Sequence, residues 1–165
     1  MNKHSKRKTI LNIFGVTDIS DHAAITQKLR DGLDIDTVDS GGRTLLMESV
    51  IRKDTELTNH HLENGADVNV RDGRKWTALH FAVQEYDLRS TQQLIQYGAD
   101  VNAQDNQGNS VVWRAVLNSR GRGDVLQFLV STGADLTARN ASEISALDLA
   151  RSISNYDILQ FLRCE

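Results

Sequence analysis

The sequence predicts an all-α repeat solenoid, in which helix-turn-helix units are joined by short hairpin turns and closed by N- and C-terminal capping units. Three observations carry that expectation. Gly65-Ala66-Asp67-Val68-Asn69 returns thirty-three residues later as Gly98-Ala99-Asp100-Val101-Asn102, with weaker copies at Gly32-Leu33-Asp34-Ile35-Asp36 and Gly133-Ala134-Asp135-Leu136-Thr137. Twelve residues after each glycine stands a hydroxyl, at Thr44, Thr77, Ser110 and Ser145. An apolar run follows each hydroxyl. A fixed period of this size marks units that cannot bury an apolar face alone and gain stability by stacking on their neighbours.

Taken in order, residues 1–9 read as a basic flexible tail carrying Lys3, Lys6, Arg7 and Lys8, and residues 10–165 as one repeat domain. A capping unit runs from 10 to 38. In the first full unit, 39–71, the turn-forming Asp39-Ser40-Gly41-Gly42-Arg43 precedes a helix capped by Thr44 and begun by Leu45-Leu46-Met47, and a second helix follows from Glu56 to Asn64. The unit 72–104 repeats this plan with Asp72-Gly73-Arg74-Lys75-Trp76, a helix beginning Ala78-Leu79-His80-Phe81-Ala82 and a second helix from Ser90 to Tyr97. The unit 105–139 has Asp105-Asn106-Gln107-Gly108-Asn109, a helix beginning Val111-Val112-Trp113 and a second from Asp124 to Thr132. A C-terminal cap, 140–165, opens its helix after Ser145 with Ala146-Leu147-Asp148-Leu149. The period glycines end the preceding helices, where a left-handed residue costs least without a Cβ.

Composition suits a thin array. The 165 residues include only four Phe and two Trp, so the core is expected from Leu, Ile, Val and Ala. Ile10 to Val16 is too short, and too soon followed by Asp18, for a membrane span or a signal peptide. The single cysteine, Cys164, cannot form an internal disulfide, which fits a cytoplasmic setting. The formal charge is -3, and the four cations near the start leave -7 on the rest. No basic stripe is apparent there, which argues against a nucleic-acid partner.

The sequence contains no H-E-x-x-H, C-x-x-C, G-x-S-x-G or phosphate-loop pattern, so neither catalysis nor a cofactor is expected. His60 and His61 are adjacent on a predicted helix, point in different directions and make a poor metal pair. His61 falls in register with Leu94 and Leu129, so a buried imidazole is expected.

The unit of turn, helix, turn and helix closed by Gly-Ala-Asp-Val-Asn resembles the ankyrin repeat. Its best copy is Asp72 to Gln104, where Thr77-Ala78-Leu79-His80 matches the family's T-P-L-H with alanine in place of proline. Lys75 and Glu143 depart from the family at the tip glycine, and Met47, Trp113 and Asp148 at the T-P-L-H histidine. The resemblance implies that His80 ties neighbouring turns together. It also implies a non-enzymatic protein-binding module, monomeric when unbound, whose hairpin tips and first helices form a concave groove. Carried over by register, the binding residues are Arg43, Ile51 and Arg52, then Arg74, Trp76, Gln84, Glu85 and Tyr86, then Gln107, Asn109, Leu117 and Asn118.

Trp76 is expected to anchor that groove, as an indole on a turn that a partner would cover, the alternative being that it folds back on Arg74 or on the adjacent tip; Trp113 is expected in support beneath it. The third unit is two residues longer than the others, through the stretch Asn118-Ser119-Arg120-Gly121-Arg122-Gly123 between its helices. Its glycines suggest mobility, and Arg120 and Arg122 suggest contacts to carboxylate or phosphate, the alternative being a tolerated surface insertion. This insertion, read as Arg114 to Gly123, together with Asn155-Tyr156-Asp157, is similar to small stand-alone bacterial ankyrin proteins encoded beside toxins. That similarity implies an immunity protein masking a toxin, with a basic nuclease suggested by the acidic body. The alternative is a regulatory or effector scaffold that binds a signalling protein.

Overall fold

The structure is a computed structural model that describes residues 22–153 and 157–162. The basic tail, Ile10 to Val16, Asn155, Tyr156 and Cys164 lie outside the described residues. Among the described residues the chain forms eight α-helices, one short 3-10 helix and no strand beyond an isolated bridge between Gln104 and Ser110. The helices are α1 (His22–Arg30), α2 (Leu45–Arg52), α3 (Thr55–Glu63), α4 (Ala78–Gln84), α5 (Leu88–Gln96), α6 (Val111–Asn118), α7 (Asp124–Ser131) and α8 (Ala146–Ser152), followed by the 3-10 turn Ile158–Phe161.

The hydroxyl register places every first helix. Thr44, Thr77, Ser110 and Ser145 stand in extended backbone at the N-caps of α2, α4, α6 and α8. Thr44 and Ser110 accept the backbone N–H of Met47 and Trp113, satisfying a donor that a helix start leaves open. Two first helices close a full capping box: Thr77 N–H donates to His80 Nδ1 at 3.1 Å, and Ser145 N–H donates to Asp148 Oδ2 at 3.2 Å. Asp148 therefore replaces the histidine without losing its capping role. His80 makes this bond inside its own unit and also meets the Asn109 backbone in the tip of the next unit, and other groups tie the neighbouring turns as well.

Those groups are backbone atoms of the tips and asparagines of the period loops. Gly73 N–H donates to Gly41 O, Asn106 N–H to Arg74 O and Ala141 N–H to Gln107 O, at 2.9, 3.0 and 2.9 Å. Each tip is rigid in itself, because the side chain of Asp39, Asp72, Asp105 or Asn140 accepts the N–H groups two and four residues on. A Cβ on Gly42 would lie 2.9 Å from Gly73 N, and its φ is +79°. In the period loops, Asn69 donates to Gly98 O and accepts Asp100 N–H, and Asn102 does the same to Gly133 O and Asp135 N–H.

First helices pack against one another in the order α2, α4, α6, α8, and second helices in the order α3, α5, α7 and the 3-10 turn. One apolar core runs through the stack from Leu46 to Leu162 and includes Leu79, Leu94, Val112, Leu126 and Leu129. Burying one such leucine contributes roughly 2 kcal/mol. A smaller cluster of Ile25, Leu45 and Leu57 seats α1 on the first full unit. His61 is fully buried, as its register implies. At the other end, a Cβ on Gly123 would lie 2.2 Å from Phe161, so the glycine makes room for the C-terminal turn.

Candidate functional site

The hairpin tips and first helices form one face, and its side chains divide by register. The third tip position points outward: Arg74 and Gln107 are exposed. The fifth points inward under the neighbouring unit, which buries Trp76 and Asn109. Along the first helices, Ile51, Gln84 and Leu117 share one row, with Gln84 exposed and Leu117 50 % exposed. Arg52, Glu85 and Asn118 share the next, and Arg43, Arg120 and Arg122 complete the set.

Burial corrects three members of the expected set. Trp76 is not an exposed anchor. It is 7 % exposed, stacks on His80 at 5.9 Å and meets Phe81 edge-on at 5.0 Å, and the guanidinium carbons of Arg74 and Arg114 each lie 4.0 Å from its ring centre. The turn does not leave the indole in water because α6 of the next unit brings Arg114 over it. Asn109 is buried at the equivalent place, where it receives Asn140 Nδ2 on its own Oδ1 at 2.7 Å. Tyr86 is buried as well, and its hydroxyl donates to Arg122 O at 2.5 Å. Burial pushes that hydroxyl up to about 12, so it stays a donor. Trp113 is partly buried against the core, in keeping with a supporting place.

The insertion is held to the fold through Ser119 and Arg122. Ser119 is buried and donates to Val116 O, and Arg122 lies 3.9 Å over the Tyr86 ring while its Nε donates to Ser119 O. Arg120 has a left-handed backbone, φ +50°, and is exposed with no hydrogen-bond or ion-pair partner among the described residues.

Charge on this face is sorted by depth. Asp72 is 3 % exposed while its partner Arg74 is 54 % exposed, and Asp105 is buried against Arg114 at 2.6 Å. Glu48 is likewise buried between Arg43 and Arg52. Burial raises the Asp105 carboxyl, but hydrogen bonds from Arg114, the Gln107 N–H and Asn109 outweigh it and hold the group below its ordinary value. Asp72, Asp105 and Glu48 thus serve as buried supports, whereas Arg43, Arg52 and Arg74 reach solvent and Arg114 is itself largely covered. Sequence reasoning from net charge missed this, because formal charge carries no depth.

Where the first helices end, a recess of about 360 Å³ is lined by Lys53, Gln84, Glu85, Asn118, Arg120 and Arg122. Lys53 was not among the expected residues. Its signal was register: it stands in the left-handed place that Tyr86 takes one period later. Among the described residues no cluster of three or more His, Cys, Asp or Glu side chains could hold a metal ion, and no helix is long and apolar enough to cross a membrane.

The family model that describes ankyrin repeats in three copies matches residues 46–140. No curated protein matches the chain.

Proposed function

The chain belongs to the ankyrin repeat family, and from that premise we propose that this protein-protein interaction module occupies its partner through the tip-and-first-helix face, without catalysis. The observation that carries the reading is the row formed by exposed Gln84 and half-exposed Leu117, held on helices whose tips are locked to one another. A pre-ordered face loses little conformational freedom on binding, so more of its contact energy appears as affinity. Arg43, Ile51, Arg52, Arg74, Gln107 and Asn118 extend the same face.

A narrower role is an immunity protein that masks a toxin. Support for it lies in the insertion from Arg114 to Gly123, which is anchored on Tyr86 and presents Arg120 beside the first-helix row. The exposed cations redirect the partner's chemistry: an acidic surface suits this face better than a basic nuclease does.

Affinity capture with the whole chain as bait tests the reading. A partner retained by wild type and by Arg89→Ala, on an exposed site of α5, but lost with Gln84→Glu and Leu117→Asp together, is the expected result. Retention by the double variant would place the interface elsewhere. Protection of cells from a toxin encoded beside this chain would support the immunity role, and no protection would remove it.

A further inference from the structure

We propose that the recess at the C-terminal ends of the first helices is a carboxylate-binding site that receives aspartate or glutamate side chains from an acidic segment of the protein partner. The inference rests on the protein-binding reading above and adds the partner's chemistry to it.

Three cations line the recess, Lys53, Arg120 and Arg122, against one acid, Glu85. They arrive from two different units, so the stack itself brings them together. Arg122 is pre-oriented: its guanidinium lies over the Tyr86 ring and is held through Nε by Ser119 O. Lys53 reaches across to the next unit, donating to Glu85 O at 2.9 Å with Glu85 Oε2 at 3.6 Å. Arg120 has no such commitment among the described residues, yet it occupies a left-handed backbone where glycine would cost less. An arginine kept in a strained place, exposed and beside two other cations, is arranged for an external anion. Planar guanidinium groups match carboxylates in paired hydrogen bonds, and the amides of Gln84 and Asn118 can donate to the same oxygens.

A protein segment fits better than a nucleic-acid strand. The cations do not form a track, because Gln84 and Asn118 interrupt them and Leu117 adds an apolar neighbour.

The test is fluorescence anisotropy of the full chain with a labelled ten-residue glutamate peptide, acetylated and amidated so that only side-chain carboxylates are present. The glutamine peptide and a ten-nucleotide thymidylate strand serve as comparisons. The glutamate peptide should bind more tightly than the glutamine peptide and the strand. Lys53→Gln with Arg120→Gln should weaken it about tenfold, with Arg89→Ala unchanged. Arg120→Gln alone should weaken it about threefold without moving the thermal midpoint, since that side chain supports nothing in the fold. Equal binding of the two peptides, tighter binding of the strand, or no loss in either variant would overturn the proposal. A natural partner lost with Gln84→Glu and Leu117→Asp but kept by Lys53→Gln with Arg120→Gln would overturn it while leaving the proposed face intact.

Discussion

Arg114 lies 4.0 Å over the indole of Trp76 in the preceding unit, while its Nη2 holds Asp105 Oδ2 at 2.6 Å. One guanidinium therefore covers an aromatic ring, neutralises a buried carboxylate and joins two repeats. Trp76→Ala should lower stability by about 3 kcal/mol or more, as expected for a large buried aromatic side chain. Arg114→Ala should cost a similar amount, roughly 3 kcal/mol, because it leaves Asp105 buried and unpaired. Urea unfolding followed by circular dichroism checks both. An unchanged midpoint in either variant would contradict the packing described here.

Asp36 breaks the asparagine ladder. It accepts Asp67 N–H at 2.9 Å, as Asn69 and Asn102 accept theirs, but a carboxylate has no proton to give to the Gly65 carbonyl. Burial raises its carboxyl above the ordinary 3.8, against the Asp67 N–H bond, and the charges of Asp67 and Asp34 raise it further. A raised folded value means that stability is lost as pH rises through it. Asp36→Asn should thus stabilise the chain by about 1 kcal/mol near neutral pH. The gain should shrink below about pH 4, where the unfolded carboxyl is also protonated. Thermal midpoints of the two proteins at both pH values decide it.

Lys75 carries φ +61° at the tip place where Gly42 and Gly108 have +79° and +77°. Relief of the left-handed cost, about 1 to 2 kcal/mol, exceeds the added freedom of an unfolded glycine, about 0.4 to 1 kcal/mol. Lys75→Gly should therefore raise stability by roughly 0.5 to 1 kcal/mol. Gly42→Ala should lower it, since the new Cβ would press on the Gly73 backbone. Denaturant midpoints should move in opposite directions.

His80 titrates far from its ordinary 6.5. Burial, reinforced by the charge of Arg114, pushes the imidazole down to about 4. The unfolded chain then takes up a proton that the folded chain refuses, so stability falls as pH drops through 6.5 and levels off below the folded value. At about pH 5 the loss should be on the order of 2 kcal/mol. His80→Gln should show a correspondingly smaller drop between neutral pH and about pH 5 in urea unfolding.

Much of the fold was legible because local chemistry and period agree. Thr44, Thr77, Ser110 and Ser145 mark the N-cap of each first helix, and the second helices begin and end within about two residues of their expected limits. The face was harder to read. Trp76 sits among turn residues, and nothing near it in sequence announces that Arg114, thirty-eight residues on, will cover it. Asn109 and Tyr86 were missed for the same reason, since units that follow in the chain bury both. Repeat register could have helped: Trp76 and Asn109 share the inward tip position. The buried tip acids carry the same register signal, since Asp39, Asp72 and Asp105 recur one period apart.

The most direct measurement is hydrogen-deuterium exchange of the whole chain alone and with its captured partner. Added protection in residues 41–53, 74–86 and 107–122, with α3 and α5 unchanged, is the result expected of binding through the tips and first helices. Protection confined to α3, α5 and α7 would contradict it.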